Sequence, residues 1–441
     1  MKTKPVFYLL FVLLLLAACG KAPQPIATNT SLPPTSVPTS SPATDPERTW
    51  TQISFDDIAP PGANLQQCWN GMGMDDQGRI YIGFTSTRAD GREDFFVFRY
   101  DPGSGKKVFL GSFLDVVEAA GNAQKGESIP KGHTRMVFAD GKMYMGSQSF
   151  HDLKREITSL SMYRGSHLFS FDTRTDEWSD LSAMLPGGVV TEHEGIVALD
   201  IFPERRLLIG LAHPSSNLVF YDYQAEQLAS IVPGIPWTLG NPLSREMIVA
   251  PSGRIYTYRG TEEFRDLEEI YTPWVYDIGS KEMTDTGFEM THGFWVGQTR
   301  KREGSKIYIN TTGGHLYEFD TASETFRDLG YELPANDNRK ISNTYTITLS
   351  PDETKLYYIV SVIQNAGQKE WDSSGRAGSG ELYSYDLITG QIEFIQQLPK
   401  GIYTSADLRD NENIYFSHFG NSANLWSGNA GLFILHVPPQ P

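Results

Sequence analysis

The sequence predicts an all-β chain closed into a ring of seven four-stranded blades, a seven-bladed β-propeller. Three observations carry that prediction. A turn-plus-strand unit recurs seven times, an aromatic-Asp hairpin follows it, and the last repeat lacks a strand that the first has to spare.

The first unit is a Gly or Asp turn leading into an apolar-Tyr strand. It stands at Asp76-Gln77-Gly78-Arg79-Ile80-Tyr81, Asp140-Gly141-Lys142-Met143-Tyr144, Ser252-Gly253-Arg254-Ile255-Tyr256 and Gly304-Ser305-Lys306-Ile307-Tyr308. Ser350 to Tyr357 and Asn413-Ile414-Tyr415 repeat it, and Glu204 to Leu208 is a variant. The second unit is an alternating strand ending in aromatic-Asp, at Asp101, Asp172, Asp222, Asp277, Asp320 and Asp386. An Asp there closes a tight hairpin by accepting backbone N–H groups just ahead of it. The seventh copy, Phe433-Ile434-Leu435-His436, has lost the Asp.

Period-2 patterning, turns every eight to twelve residues and repeats of roughly 45–65 residues favour a propeller over a sandwich. One blade cannot cover both of its faces, whereas seven in a ring can. The last repeat ends before a fourth strand, and Thr49 to Phe55 is a spare one. The N-terminal strand is therefore expected to complete the last blade. Short helices are expected at 113–122 and 262–269.

From about Trp50 to Pro438 the chain resembles seven-bladed propellers of the YVTN and kelch-like kind. The Ser350-Pro351-Asp352 hairpin and Gly313-Gly314-His315-Leu316-Tyr317 carry the likeness. It implies fold and leaves function open, because propellers host many chemistries.

Ahead of the ring, Lys2 and Lys4 precede an apolar run from Val6 to Leu16. The run is too short for a spanning helix and has the length of a signal-peptide core. Leu16-Ala17-Ala18-Cys19 resembles the lipobox of bacterial lipoproteins, which implies lipidation of Cys19. The expected organisation is a signal peptide over 1–18, a lipidated Pro/Ser/Thr-rich tether over 19–48 and the propeller over 49–441. At ~3.1 Å per residue such a tether reaches up to roughly 80 Å. The expected location is the outer face of a bacterial membrane, with the membrane itself as one partner.

The chain has 37 basic and 53 acidic residues, a net charge of −16. With no long basic run, nucleic acid is excluded as a partner. There are two cysteines. With Cys19 acylated, Cys68 is alone, and its Gln67-Cys68-Trp69 setting reads as a buried structural thiol. A monomer is expected.

In a propeller the first strand of each blade starts at the face where the second strand ends, so those positions converge on the channel mouth. They carry His133, Arg135, His193, Glu194, Arg245, Glu246, His292 and Tyr345, with Gln148, His213, Arg259, Thr311 and His418 on second strands. So many ionisable groups amid Ile, Val and Met point to a polar pocket. It would take an extracellular glycan, peptide or protein. Long connections at 147–166, 259–273, 363–380 and 418–431 are expected over the same face, the third carrying Trp371.

A second reading is enzymatic. Neutral imidazoles of His133, His193, His213 and His418 are candidate ligands for Mn, Zn or Ca. Resemblance to oligogalacturonate lyase-type propellers would make the chain a metal-dependent polysaccharide lyase, with Arg135 or Arg245 steadying an acidic sugar. No nucleophile elbow, phosphate loop, Rossmann fingerprint, Cys-x-x-Cys or EF-hand loop is present.

Overall fold

The computed structural model describes residues 50–148, 163–234, 245–265, 268–300, 305–363, 380–420 and 429–437. Among them are seven antiparallel blade sheets, six of which follow chain order from first strand to last. Blade 1 spans 72–112 and blade 2 spans 137–180. Blades 3 to 6 follow at 195–232, 248–285, 295–331 and 340–398. Blade 7 takes its first three strands from 402–436 and its fourth from Trp50–Ser54. Trp50 pairs with Leu435 and Ser54 with Gly431, so the spare strand closes the ring as expected. The Trp50 ring stacks on Phe433 at 4.9 Å.

The six Asp hairpins form as the sequence predicts. Oδ1 of Asp101, Asp172, Asp222, Asp277, Asp320 and Asp386 each accepts two backbone N–H groups from the following turn. Turn donors, led at Asp101 by the Ser104 hydroxyl, hold the carboxyls of Asp101, Asp172, Asp277, Asp320 and Asp386 below the usual range.

The helix expected near 113 runs Phe113–Ala119, capped by Ser112 on the Asp115 N–H. The helix expected at 262–269 is not there. The second and third strands of blade 4 run on as a hairpin through Arg265, which pairs with Glu268. Continuing a formed ladder gains a backbone bond pair at every second residue, whereas a new eight-residue helix must nucleate.

The core lies between blades. Phe55, Phe84 and Phe98 of the chain start and blade 1 pack with Ala406, Tyr415 and Leu432 of blade 7. Cys68 is fully buried there, and burial pushes its thiol up to about 12. The first strands of successive blades face one another around the axis: 72–74 against 137–139, 137–139 against 195–202, and 195–202 against 248–249. Four first strands carry a bulge, at Ile196/Ala198, Trp295/Gly297, Ile341/Asn343 and Ser405/Leu408. Bulges re-aim side chains, and here they do so along the channel.

One wedge fixes where blade 2 enters the ring. The Phe95 ring, 1% exposed, is pressed by three glycines. A Cβ on Gly83, Gly132 or Gly71 would stand 2.1, 2.5 or 2.7 Å from its ring carbons. Phe113 packs against that ring with centroids 4.9 Å apart. Gly132 lies between Lys131 and His133, so this wedge also places two residues of the mouth.

Candidate functional site

The polar residues singled out in the sequence lie mostly just ahead of the first strands rather than inside them. They form two layers on the axis.

The deeper layer bridges the channel. Arg135, from blade 2, donates to Glu246 of blade 4 through Nη2 at 2.8 Å and Nε at 3.1 Å. Its Nη2 also donates to the Gln298 carbonyl of blade 5 at 2.9 Å. Asn70, before blade 1, donates to Glu246 Oε1 at 3.2 Å. Asp407, at a left-handed φ of +53° in the blade 7 bulge, accepts the Arg300 N–H at 2.7 Å, the Leu349 N–H at 3.1 Å and Arg409 at 2.9 Å. Arg300 also reaches the Met136 carbonyl. These bonds join blades across the ring, and a ligand arriving from the mouth meets them as a floor. Burial raises Glu246 to about 7 against the pull of Arg135. Burial and the neighbouring Arg135 lower Arg300 to about 10.

The upper layer is the mouth. Trp69 precedes blade 1 and is held by two fixings. Its indole N–H donates to Gln67 Oε1 at 2.5 Å, and the carbonyl of Cys68 accepts the Thr404 and Ser417 hydroxyls at 3.1 and 3.2 Å. Trp69 then meets Tyr345 and Phe419 edge-on at 5.7 and 5.1 Å. Arg245, before blade 4, places Cζ 5.7 Å from the Trp69 ring centre, 5.2 Å from Phe294 and 5.8 Å from Tyr345. Lys131, before blade 2, places Nζ 5.6 Å from the Trp69 ring. Such cation–π pairs gain about 0.5–2 kcal/mol each, more as water is excluded.

Two imidazoles complete the mouth. His133 donates through Nδ1 to the Val197 carbonyl at 3.3 Å, the carbonyl freed by the blade 3 bulge. His213 ends the second strand of blade 3. Burial, then Arg245 and Lys131, holds His213 down to about 4. The same causes hold His133 well below its ordinary value. Burial and Arg245 bring Lys131 down to about 7.

Of the residues expected at the mouth, the structure brings together His133, His213, Arg245 and Tyr345, with Arg135 and Glu246 beneath them. The others have different surroundings. His193, exposed, meets the Tyr163 carbonyl at 2.7 Å. Glu194 accepts the Ser215 N–H and hydroxyl, and burial raises it. His292 stacks on His315 at 4.9 Å. His418 packs against Tyr403 at 4.6 Å and points Nε2 at the Lys400 carbonyl. Among the described residues no three His, Cys, Asp or Glu side chains come together as a metal-holding group. The quartet of His133, His193, His213 and His418 is therefore not assembled as one. His133 and His213, from neighbouring blades 2 and 3, stand together at the mouth, whereas His193 meets the Tyr163 carbonyl and His418 the Lys400 carbonyl, and sequence spacing carries no signal of that. Trp371 lies outside the described residues.

Sequence reasoning missed Trp69, Lys131 and Phe294. Two signals point to Lys131 and Trp69, and none to Phe294. Lys131, His133 and Arg135 alternate, which puts them on one side of an extended segment. Trp69 and Arg245 both stand three residues before the first residue of their blade's innermost strand, Met72 and Ile248.

No family model matches the chain, and no curated protein matches it. Solved structures do. A chain of a mitotic checkpoint complex is 10% identical, with 94% of this chain and 99% of that one covered at a TM-score of 0.47. Hydrazine synthase of Kuenenia stuttgartiensis is 12% identical, with 67% and 79% covered at 0.43. An oligogalacturonate lyase in complex with manganese is 9% identical, with 68% and 86% covered at 0.39. The sheet order and the closure by Trp50–Ser54 make the chain a seven-bladed β-propeller.

Proposed function

We propose that this chain is a lipid-anchored propeller on the outer side of a bacterial membrane that binds an extracellular glycan, peptide or protein at its channel mouth. One observation carries the reading. Trp69, Arg245, Phe294 and Tyr345 form a fixed aromatic and cationic rim directly above a floor of cross-ring bonds. Aromatic side chains held beside a small number of placed polar groups are the usual lining of a ligand site. Leu16 to Cys19 and the Pro-rich segment after it supply the anchor and tether.

The test has two arms. Palmitate labelling of cells should mark the wild-type chain and not Cys19→Ser. A glycan and peptide array probed with residues 46–441 should give a hit that Trp69→Ala abolishes. A hit unaffected by Trp69→Ala would remove the mouth from the reading. Stoichiometric Mn, Zn or Ca in the purified chain would favour the lyase reading instead.

A further inference from the structure

We propose that the mouth is an oxyanion receptor, in which a carboxylate or phosphate borne on a flat ring seats its charge between Lys131 and Arg245 and lays the ring on the aromatic wall. The proposal rests on the mouth being the binding site and names the ligand class that it takes.

The geometry favours an anion. Two cations face one indole, Lys131 Nζ at 5.6 Å and Arg245 Cζ at 5.7 Å from the Trp69 ring. Two imidazoles stand with them, near enough that both cations disfavour their protonation. Aromatic rings contact a guanidinium through its faces, whereas its N–H donors lie in its plane. Cζ of Arg245 lies over the Trp69, Phe294 and Tyr345 rings at 5.7, 5.2 and 5.8 Å, so these rings hold that planar donor edge in place. A carboxylate or phosphate matches that planar edge with paired charge-assisted bonds. The wall is fixed beforehand by the bond of Trp69 to Gln67 and by the hold of Thr404 and Ser417 on Cys68. Little ordering remains to oppose binding.

Occupation should be linked to protons. Among the described residues, Arg245 from the approach to blade 4, His213 from blade 3, His133 on its own segment and the Trp69 ring from the approach to blade 1 face Lys131. Glu246 lies below them, held by Arg135. Burial and like charge bring Lys131 down to about 7. An anion beside it reverses the local sign and favours the ammonium. Binding above pH 7 therefore takes up a proton, and affinity falls by up to roughly tenfold per pH unit as pH rises.

The experiment is calorimetry on the full-length chain in detergent, with benzoate, phenyl phosphate, inorganic phosphate and benzamide as probes. Titrations run at pH 6.5 and 8.5 in two buffers of different ionisation enthalpy. Benzoate or phenyl phosphate should bind at least tenfold tighter than benzamide, weaken about tenfold or more at pH 8.5 and take up close to one proton there. Whichever of the two binds tighter distinguishes carboxylate from phosphate. Lys131→Met should cost tenfold or more and flatten the pH dependence. Lys131→Arg should retain binding at pH 6.5 and lose the proton uptake, which a structural role for Lys131 would not produce. Near-UV circular dichroism checks that both variants are folded. Benzamide binding as tightly as benzoate, inorganic phosphate binding as tightly as phenyl phosphate, or anion binding without proton uptake would each overturn the proposal. A neutral array ligand lost with Trp69→Ala would end the anion assignment and leave the binding reading standing. Absence of any mouth-dependent ligand would end both.

Discussion

Replacing Gly132 by Ala tests whether the Phe95 wedge sets both stability and the mouth. The added Cβ would stand 2.5, 2.9 and 3.0 Å from Phe95 Cε1, Cζ and Cδ1. Carbon atoms rest at about 3.5–4.0 Å, so ring or backbone must move by roughly 1 Å. The ring has no retreat, because the Gly83 and Gly71 backbones and Phe113 enclose it. Overpacking of this kind costs about 1–3 kcal/mol. The strain also falls on the peptide between Lys131 and His133, so ligand affinity at the mouth should drop with stability. The assay is urea denaturation of wild type, Gly132→Ala, Phe95→Leu and the double variant. Phe95→Leu alone leaves a cavity and destabilises. In the double variant the smaller side chain accommodates the methyl, so the two costs should fall short of additivity by about 1 kcal/mol or more. Additive costs, or a Gly132→Ala protein as stable as wild type, would refute the wedge.

Three further outcomes follow from buried and capping charges. Glu332 is fully buried, accepts Asn310 at 3.1 Å through Oε1, and is raised by burial to about 8. Its stability contribution is present in full below the ordinary value of 4.5 and is lost as pH rises through 8. Glu332→Gln should therefore be more stable than wild type at pH 9 by a few kcal/mol, each tenfold change in proton affinity being worth about 1.4 kcal/mol, and should show no such gain at pH 5. Arg135→Met leaves Glu246 buried without its ion partner and should cost about 3–5 kcal/mol at pH 8, whereas Arg135→Met with Glu246→Leu should lie close to wild type; equal losses in both would show that the floor is held by something else. The Asp101, Asp172, Asp277, Asp320 and Asp386 carboxyls lie below the ordinary 3.8 because turn donors bind the charged form. Their contribution is present above 3.8 and disappears as pH falls through the lower folded values, so the Asp172→Asn protein should lose less stability than wild type between pH 4 and 2 in thermal scans.

Much of the fold is legible because each blade repeats the same local chemistry. An Asp that must accept two turn N–H groups, and a Tyr strand that must follow a tight turn, leave marks within a few residues of each other. Ring closure is legible for a different reason: a missing strand at one end and a surplus strand at the other are a matter of counting. The blade 4 hairpin misleads because local helix propensity there competes with a ladder begun several residues away. Arg265 pairs with Glu268 only because Arg254 to Gly260 already pair with 271–277. The mouth is half legible. Polar residues at the approach to apolar strands flag His133, Arg135, Arg245 and Glu246, yet nothing in the sequence separates Arg245, which joins the aromatic rim, from Glu246, which joins the floor. Adjacent residues on extended backbone point opposite ways, and only the ring decides which way is up.

That alternation explains how one short segment serves both layers. Arg245 and Glu246 are sequence neighbours, and each is fixed by elements that come from other blades. Arg245 lies over the Trp69, Phe294 and Tyr345 rings, and Glu246 is held by Arg135 and Asn70. Trp69 and Asn70 are neighbours in the same way, one to the rim and one to the floor. Two dipeptides on blades 1 and 4 thus tie the layers together, so the floor is part of what holds the rim in place. Loss of the Arg135–Glu246 bond should accordingly weaken binding at the mouth even though neither side chain belongs to the rim. Restoring apolar packing in the Arg135→Met, Glu246→Leu double variant should recover stability but only part of the affinity, because Asn70 then loses its acceptor and the Trp69 backbone loses one of its fixings.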